Sequence, residues 1–140
     1  MRNKNFLVII NVIIALLLIG CASNNAKSYE QFTNDYYKLY LQVTDSVNIK
    51  DTISTLKSIQ SEDSKKNIEK LHELLEKEKD KVPESQKEHY NGLQKSYEGL
   101  KFLSTANQNL DVLTLEEKAK IWTEISIVNI TRENIQSEQK

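Results

Sequence analysis

The chain has 140 residues, one cysteine, one proline, three glycines and a formal net charge of −1. That length leaves room for one domain, and the lone Cys21 excludes both an intramolecular disulfide and a cysteine-based zinc set. Beyond Arg2 and Lys4, 17 basic residues are interspersed with 20 acidic ones, which gives no clustered basic face for a nucleic acid.

Residues 1–20 differ from everything after them. Arg2 and Lys4 precede a 14-residue run, Phe6–Ile19, that is apolar except for Asn11. A basic start followed by an apolar run of this length is the pattern of a secretory signal. As a helix the run would cover about 21 Å, short of the roughly 30 Å of a bilayer core, so a cleaved signal helix is expected rather than a permanent span.

Leu18-Ile19-Gly20-Cys21 ends that run and resembles the lipobox of bacterial lipoproteins: leucine, a small or aliphatic residue, glycine or alanine, then cysteine. The resemblance implies that Leu18, Ile19 and Gly20 are recognised by a lipoprotein signal peptidase. It further implies that the Cys21 thiol carries a diacylglyceryl group and that Cys21 begins the mature chain. Palmitate-type chains would then hold the protein on the extracytoplasmic face of the cell membrane, or on the outer membrane of a two-membrane bacterium. Two buried acyl chains anchor stably where one is marginal. Residues 21–28, through "ASNNAKS", lack periodicity and are expected to be a flexible tether.

From residue 29 to 140 a helical domain is expected. Tyr29, Phe32, Tyr36, Tyr40, Val43 and Val47 fall on one helix face, and Ile49, Ile53, Leu56 and Ile59 resume the spacing after a falter near Asn48. The stretch 28–60 is thus one kinked helix or two. Gln60–Lys65 is rich in N-cap residues, and Ile68, Leu71, Leu74 and Leu75 line the inner face of the helix it opens. Pro83 ends that helix, since the residue before proline is driven out of the α region, and fits the first turn of the next.

Tyr90, Leu93, Tyr97, Leu100 and Leu103 mark the following helix. Beside them Gly92, Ser96, Gly99 and Ala106 form a line of small residues, expected to admit a neighbouring helix closely. Thr114-Leu115-Glu116-Glu117 matches a capping box and opens a last helix with Ala119, Ile121, Trp122, Ile125, Val128 and Ile135 inward. Its polar tail is expected to fray. The fold class that follows is all-α: an antiparallel bundle of three to four amphipathic helices. Beyond the lipobox, this layout, with an aromatic first helix and a hairpin at Val82-Pro83-Glu84, resembles small helical lipoproteins of low-GC Gram-positive bacteria, a similarity that carries no assigned activity.

No catalytic constellation is expected. His72 has Glu76, not a second histidine, one turn later, so the HExxH zinc pattern fails. Glu69-Lys70-Leu71-His72 lacks the second Glu-x-x-His of a di-iron bundle, because Gln86 precedes His89 by three. No metal or other cofactor is expected. Tyr29, Tyr36, Tyr37 and Tyr40 crowd one helix; tyrosines so placed are mostly core or half-buried, and the alternative is an exposed aromatic interaction patch. The functional expectation is a membrane-anchored, non-enzymatic module that docks an envelope protein; the alternative is a small-ligand or metal-binding lipoprotein serving a transporter.

Overall fold

The computed structural model describes residues 26–139, and all regular secondary structure among them is helical. Among the described residues five α-helices follow in order: α1 (described over 26–44), α2 (Thr52–Ile59), α3 (Glu62–Glu78), α4 (Lys87–Leu103) and α5 (Leu115–Glu138). Short 3-10 turns occupy Lys79–Lys81, Glu84–Gln86 and Leu110–Val112. The expected all-α bundle is present, with four long helices and the two-turn α2.

The four long helices alternate in direction. Tyr90 near the start of α4 donates its hydroxyl to the carbonyl of Leu75 near the end of α3, at 2.9 Å. Gln42 late in α1 meets Asn67 early in α3. Tyr29 early in α1 meets His89 early in α4, and Gly99 late in α4 faces Glu124 in the first half of α5. One end of the bundle therefore gathers the start of α1, the Pro83 corner and the end of α5. The opposite end gathers α2 and the loop before α5.

Local chemistry explains the helix ends. Asp51 and Ser61 accept from the amides of Ser54 and Ser64 at the starts of α2 and α3, satisfying donors that have no partner within the helix. The capping box at Thr114 is fully formed, with Glu117 bonded back to the Thr114 amide at 2.8 Å. Carbonyl ends are closed from a distance. Gln60 Nε2 donates to Leu103, the last residue of α4, and to Ala106 just past it, and Arg132 donates to Thr44, the last residue of α1, and to Val47 just past it.

The core is one cluster that includes Tyr36, Tyr40, Leu56, Ile59, Leu71, Leu100, Leu103 and Val128. Its buried tyrosines tie helix to helix. Tyr36 donates to the Leu93 carbonyl at 2.7 Å and meets Ser96 Oγ at 2.9 Å, and Tyr40 reaches the Val128 carbonyl at 3.3 Å. Burying a phenol is tolerable because its hydroxyl is satisfied.

Several expectations change. Residues 26–28 are already helical, so the proposed tether cannot extend to Ser28. The region 28–60 holds two helices, with the break at 45–51 fixed by Thr55, whose hydroxyl bonds both the amide and the carbonyl of Asn48. That break turns Ile49 and Ile53 to solvent while Leu56 and Ile59 are buried. Ala119 and Trp122 point outward instead of inward. The C-terminal tail remains helical through Glu138, held by buried Ile135 and by the Arg132 contacts.

Of the two glycines in the small-residue line, only Gly99 makes the close approach. A Cβ there would stand 2.8 Å from Glu124 Oε2 and 3.6 Å from Val128 Cγ2, whereas Gly92 has nothing within 4 Å.

Candidate functional site

The aromatic patch is not exposed. Tyr29, Tyr36, Tyr37 and Tyr40 are all buried, because the face they share is the one that packs on α4 and α5. The four divide by role: Tyr36 and Tyr40 belong to the core, whereas Tyr29 and Tyr37 reach the bundle end that holds the Pro83 corner. There they meet His89 of α4 and Glu138 of α5.

The polar contacts form a chain. Tyr37 donates its hydroxyl to Glu138 Oε2 at 2.7 Å, because a carboxylate only accepts. The same hydroxyl oxygen lies 3.0 Å from His89 Nε2 and so accepts an N–H from it. In the neutral ring Nδ1 then becomes the acceptor, and the Tyr29 hydroxyl sits 3.0 Å from it, closer than its other contact, the Gln86 carbonyl at 3.4 Å. Donation thus runs in one direction from Tyr29 through His89 and Tyr37 to Glu138, across α1, α4 and α5. Both tyrosine rings stand nearly perpendicular to the imidazole, at 75° and 87°.

Burial pushes the Tyr29 hydroxyl up to about 12, and the nearby negative charge of Glu78 adds to the shift. Tyr37 is also raised, first by burial and then by its bond to Glu138 and the charge of that carboxylate. Both phenols are therefore proton-bearing at neutral pH and act as hydrogen-bond donors rather than nucleophiles.

This cluster walls an open cavity of about 660 Å³ that Glu30 and Thr33 also line. The hydroxyl of Thr33 is buried with no hydrogen-bond partner among the described residues. A smaller cavity of about 220 Å³ lies on the other flank of Tyr37 and His89, beside Gly92 and Thr131.

The remaining candidates separate. His72 stacks on Tyr97, ring centroids 5.4 Å apart and planes 12° apart, a packing role on the outside of α3. Among the described residues no group of three or more His, Cys, Asp and Glu side chains is placed to hold a metal ion. Leu18, Ile19, Gly20 and Cys21 lie outside the described residues. No helix among the described residues is long and apolar enough to cross a membrane.

A second surface lies on α5. Ile121, Ile125, Val128 and Ile135 pack inward, and the opposite flank carries Leu115, Ala119, Trp122, Ser126 and Ile130, all exposed. Trp122 is 47% exposed and Ile130 56%. Steps of four, three, four and four place these five on one stripe, bordered by Glu116 and Lys118.

Sequence reasoning overlooked Glu138 because a polar tail carries no periodic signal. His89 could have been found: it follows the Pro83 corner directly, at the bundle end where the helix carrying Tyr29 begins. The chain matches no protein-family model, no curated protein and no solved structure.

Proposed function

We propose that this chain is a lipid-anchored envelope protein, held on the extracytoplasmic face of a membrane through Cys21, whose bundle is a non-enzymatic module for docking another protein. The observation that carries the docking role is the outward stripe of α5. Its spacing is that of a helix–helix seam, in which apolar residues recur every three or four positions to meet a facing helix. Trp122 at its middle is the residue type most enriched in binding hot spots. The occupant that fits is an amphipathic helix of an envelope protein, laid along α5 with an apolar seam of its own.

The anchor rests on Leu18-Ile19-Gly20-Cys21 and the signal pattern before them. Helix α1 is under way by residue 26. Five residues from Cys21 span at most about 18 Å, so the Tyr29–His89 end of the bundle lies toward the bilayer. Leu115, at the start of α5, lies at the far end, open to the envelope space.

A photoreactive amino acid in place of Trp122 tests the docking surface on intact cells. The expected result is a discrete adduct with one envelope protein that disappears when Ile130→Glu is added. Adducts only with lipid or with a second copy of this chain, or none at all, overturn it.

A further inference from the structure

We infer that His89 is a proton-operated clasp between α1 and the Pro83 corner: when its ring takes up a proton at Nδ1, the Tyr29 hydroxyl turns from the imidazole to the Gln86 carbonyl. Glu138 sets the starting state. Its carboxylate only accepts, so Tyr37 commits its one proton there, at 2.7 Å. The Tyr37 oxygen is left to accept from His89 Nε2, 3.0 Å away, and the neutral ring presents a bare Nδ1. Tyr29 donates to that nitrogen over 3.0 Å. An added proton has one place on the ring, Nδ1, because Nε2 already carries one. His89 is half-buried and borders two open cavities, which gives the ring access to solvent protons.

Once Nδ1 carries a proton it only donates. Tyr29 must then accept from it and give its own proton elsewhere. Among the described residues the other acceptor within reach of that hydroxyl is the Gln86 carbonyl, at 3.4 Å. That is long for a hydroxyl bond, and closing it to the usual ~2.8 Å draws the start of α1 toward the corner by about half an ångström. The other side of the ring keeps its bonds, since Nε2–H, Tyr37 and Glu138 are matched in both states. One proton enters from solvent and none leaves. The charges around the ring are mostly carboxylates. From α1 it faces Glu30 beside the two phenols, and from α5 Glu138; no lysine or arginine is among the described residues that line either cavity. Behind Tyr29 lies buried Glu78 of α3, whose charge is felt at the hydroxyl. On its own helix Lys87 and Glu88 precede it, and Lys87 pairs with Glu84 of the corner. Burial keeps both phenols protonated, so the hydroxyls turn and do not ionise. The clasp is independent of the anchor and docking readings.

The test follows the His89 ring nitrogens, Tyr29 Cζ and the Gln86 carbonyl carbon by NMR, on the full-length chain in a non-ionic detergent. The titration runs from about pH 8 to about pH 5, where histidine ordinarily changes charge. At the upper end the Nε2–H tautomer should exceed the Nδ1–H tautomer about fivefold, the ratio that one hydrogen bond supports. On acidification Tyr29 Cζ and the Gln86 carbonyl should move with the midpoint of the ring. In Tyr29→Phe the ring should still titrate while the Gln86 carbonyl no longer follows it. Glu138 is exposed, so Glu138→Gln should leave thermal unfolding unchanged. Its amide can donate to the Tyr37 oxygen, which frees that hydroxyl to donate to Nε2, and the tautomer ratio should fall toward one. The inference fails if Nδ1–H dominates at the upper end, or if the ring does not titrate in this range. It fails equally if the Gln86 carbonyl ignores the titration or follows it unchanged in Tyr29→Phe, or if Glu138→Gln keeps the wild-type tautomer ratio.

Discussion

Arg132→Met should destabilise the bundle by about 2–4 kcal/mol. The guanidinium donates to the Thr44 carbonyl at 2.9 Å, the Val47 carbonyl at 2.8 Å and Asn129 Oδ1 at 2.6 Å. It thus fastens the end of α1 and the 45–51 break to α5. Hydrogen bonds from a charged donor contribute roughly 1.5–3 kcal/mol each, and an abandoned buried acceptor costs about 1–3 kcal/mol. Thr44 is fully buried, so its carbonyl has no ready access to water. The loss is smaller than the sum of three bonds because the substitution also removes a half-buried cation whose Nε is unpartnered among the described residues. Methionine keeps the stem that packs on the bundle, which confines the change to the polar head. Urea unfolding gives the free energy, and hydrogen exchange gives its location. Faster exchange should centre on residues 44–59. A loss below about 0.5 kcal/mol, well under the worth of one charged hydrogen bond, or exchange that quickens elsewhere, would refute the tie between α5 and α1.

Alkali should unfold the protein early. Tyr36 and Tyr40 ionise well above the ordinary 10.0, chiefly because burial disfavours the phenolate. The folded state therefore keeps protons that the unfolded chain releases. Stability is full below about pH 10 and falls above it by about 1.4 kcal/mol per pH unit for each of the two; urea midpoints that stay constant from about pH 9 to about pH 11 contradict this. Gly92→Ala should stabilise by about 0.5–1 kcal/mol, since the site is helical and nothing stands within 4 Å of the new Cβ. Gly99→Ala should gain less, because Glu124 must move aside; equal gains in a thermal melt would contradict the packing described. Tyr36→Phe should cost about 1 kcal/mol, the worth of one satisfied buried hydroxyl, while leaving the helical circular dichroism unchanged.

The stripe of α4 was fully legible, since Tyr90, Leu93, Tyr97, Leu100 and Leu103 are all buried and one-sided burial is what a single apolar face encodes. So was Thr114, because a capping box is a local device that needs nothing beyond its own four residues. Helix α5 was legible only in part. It is apolar on both flanks, so periodicity marks a helix without deciding which flank meets the core, and Trp122 lies on the outward one. The tyrosines of α1 were legible as an apolar face but not in their bonding: the alternative of an exposed patch stays open in the sequence because the acceptors of the hydroxyls, the carbonyls of Leu93 and Val128, lie 57 and 88 residues away. The His89 chain was hidden in the same way, since Tyr29, His89 and Glu138 meet only once three helices have converged.

The most direct measurement is metabolic labelling with palmitate, followed by mass analysis of the mature N-terminus. The anchored reading predicts label on the wild-type chain, a mature form beginning at diacylglyceryl-Cys21, and an unlabelled, uncleaved precursor for Cys21→Ala. Equal labelling of Cys21→Ala, or a mature chain that begins elsewhere, would contradict it.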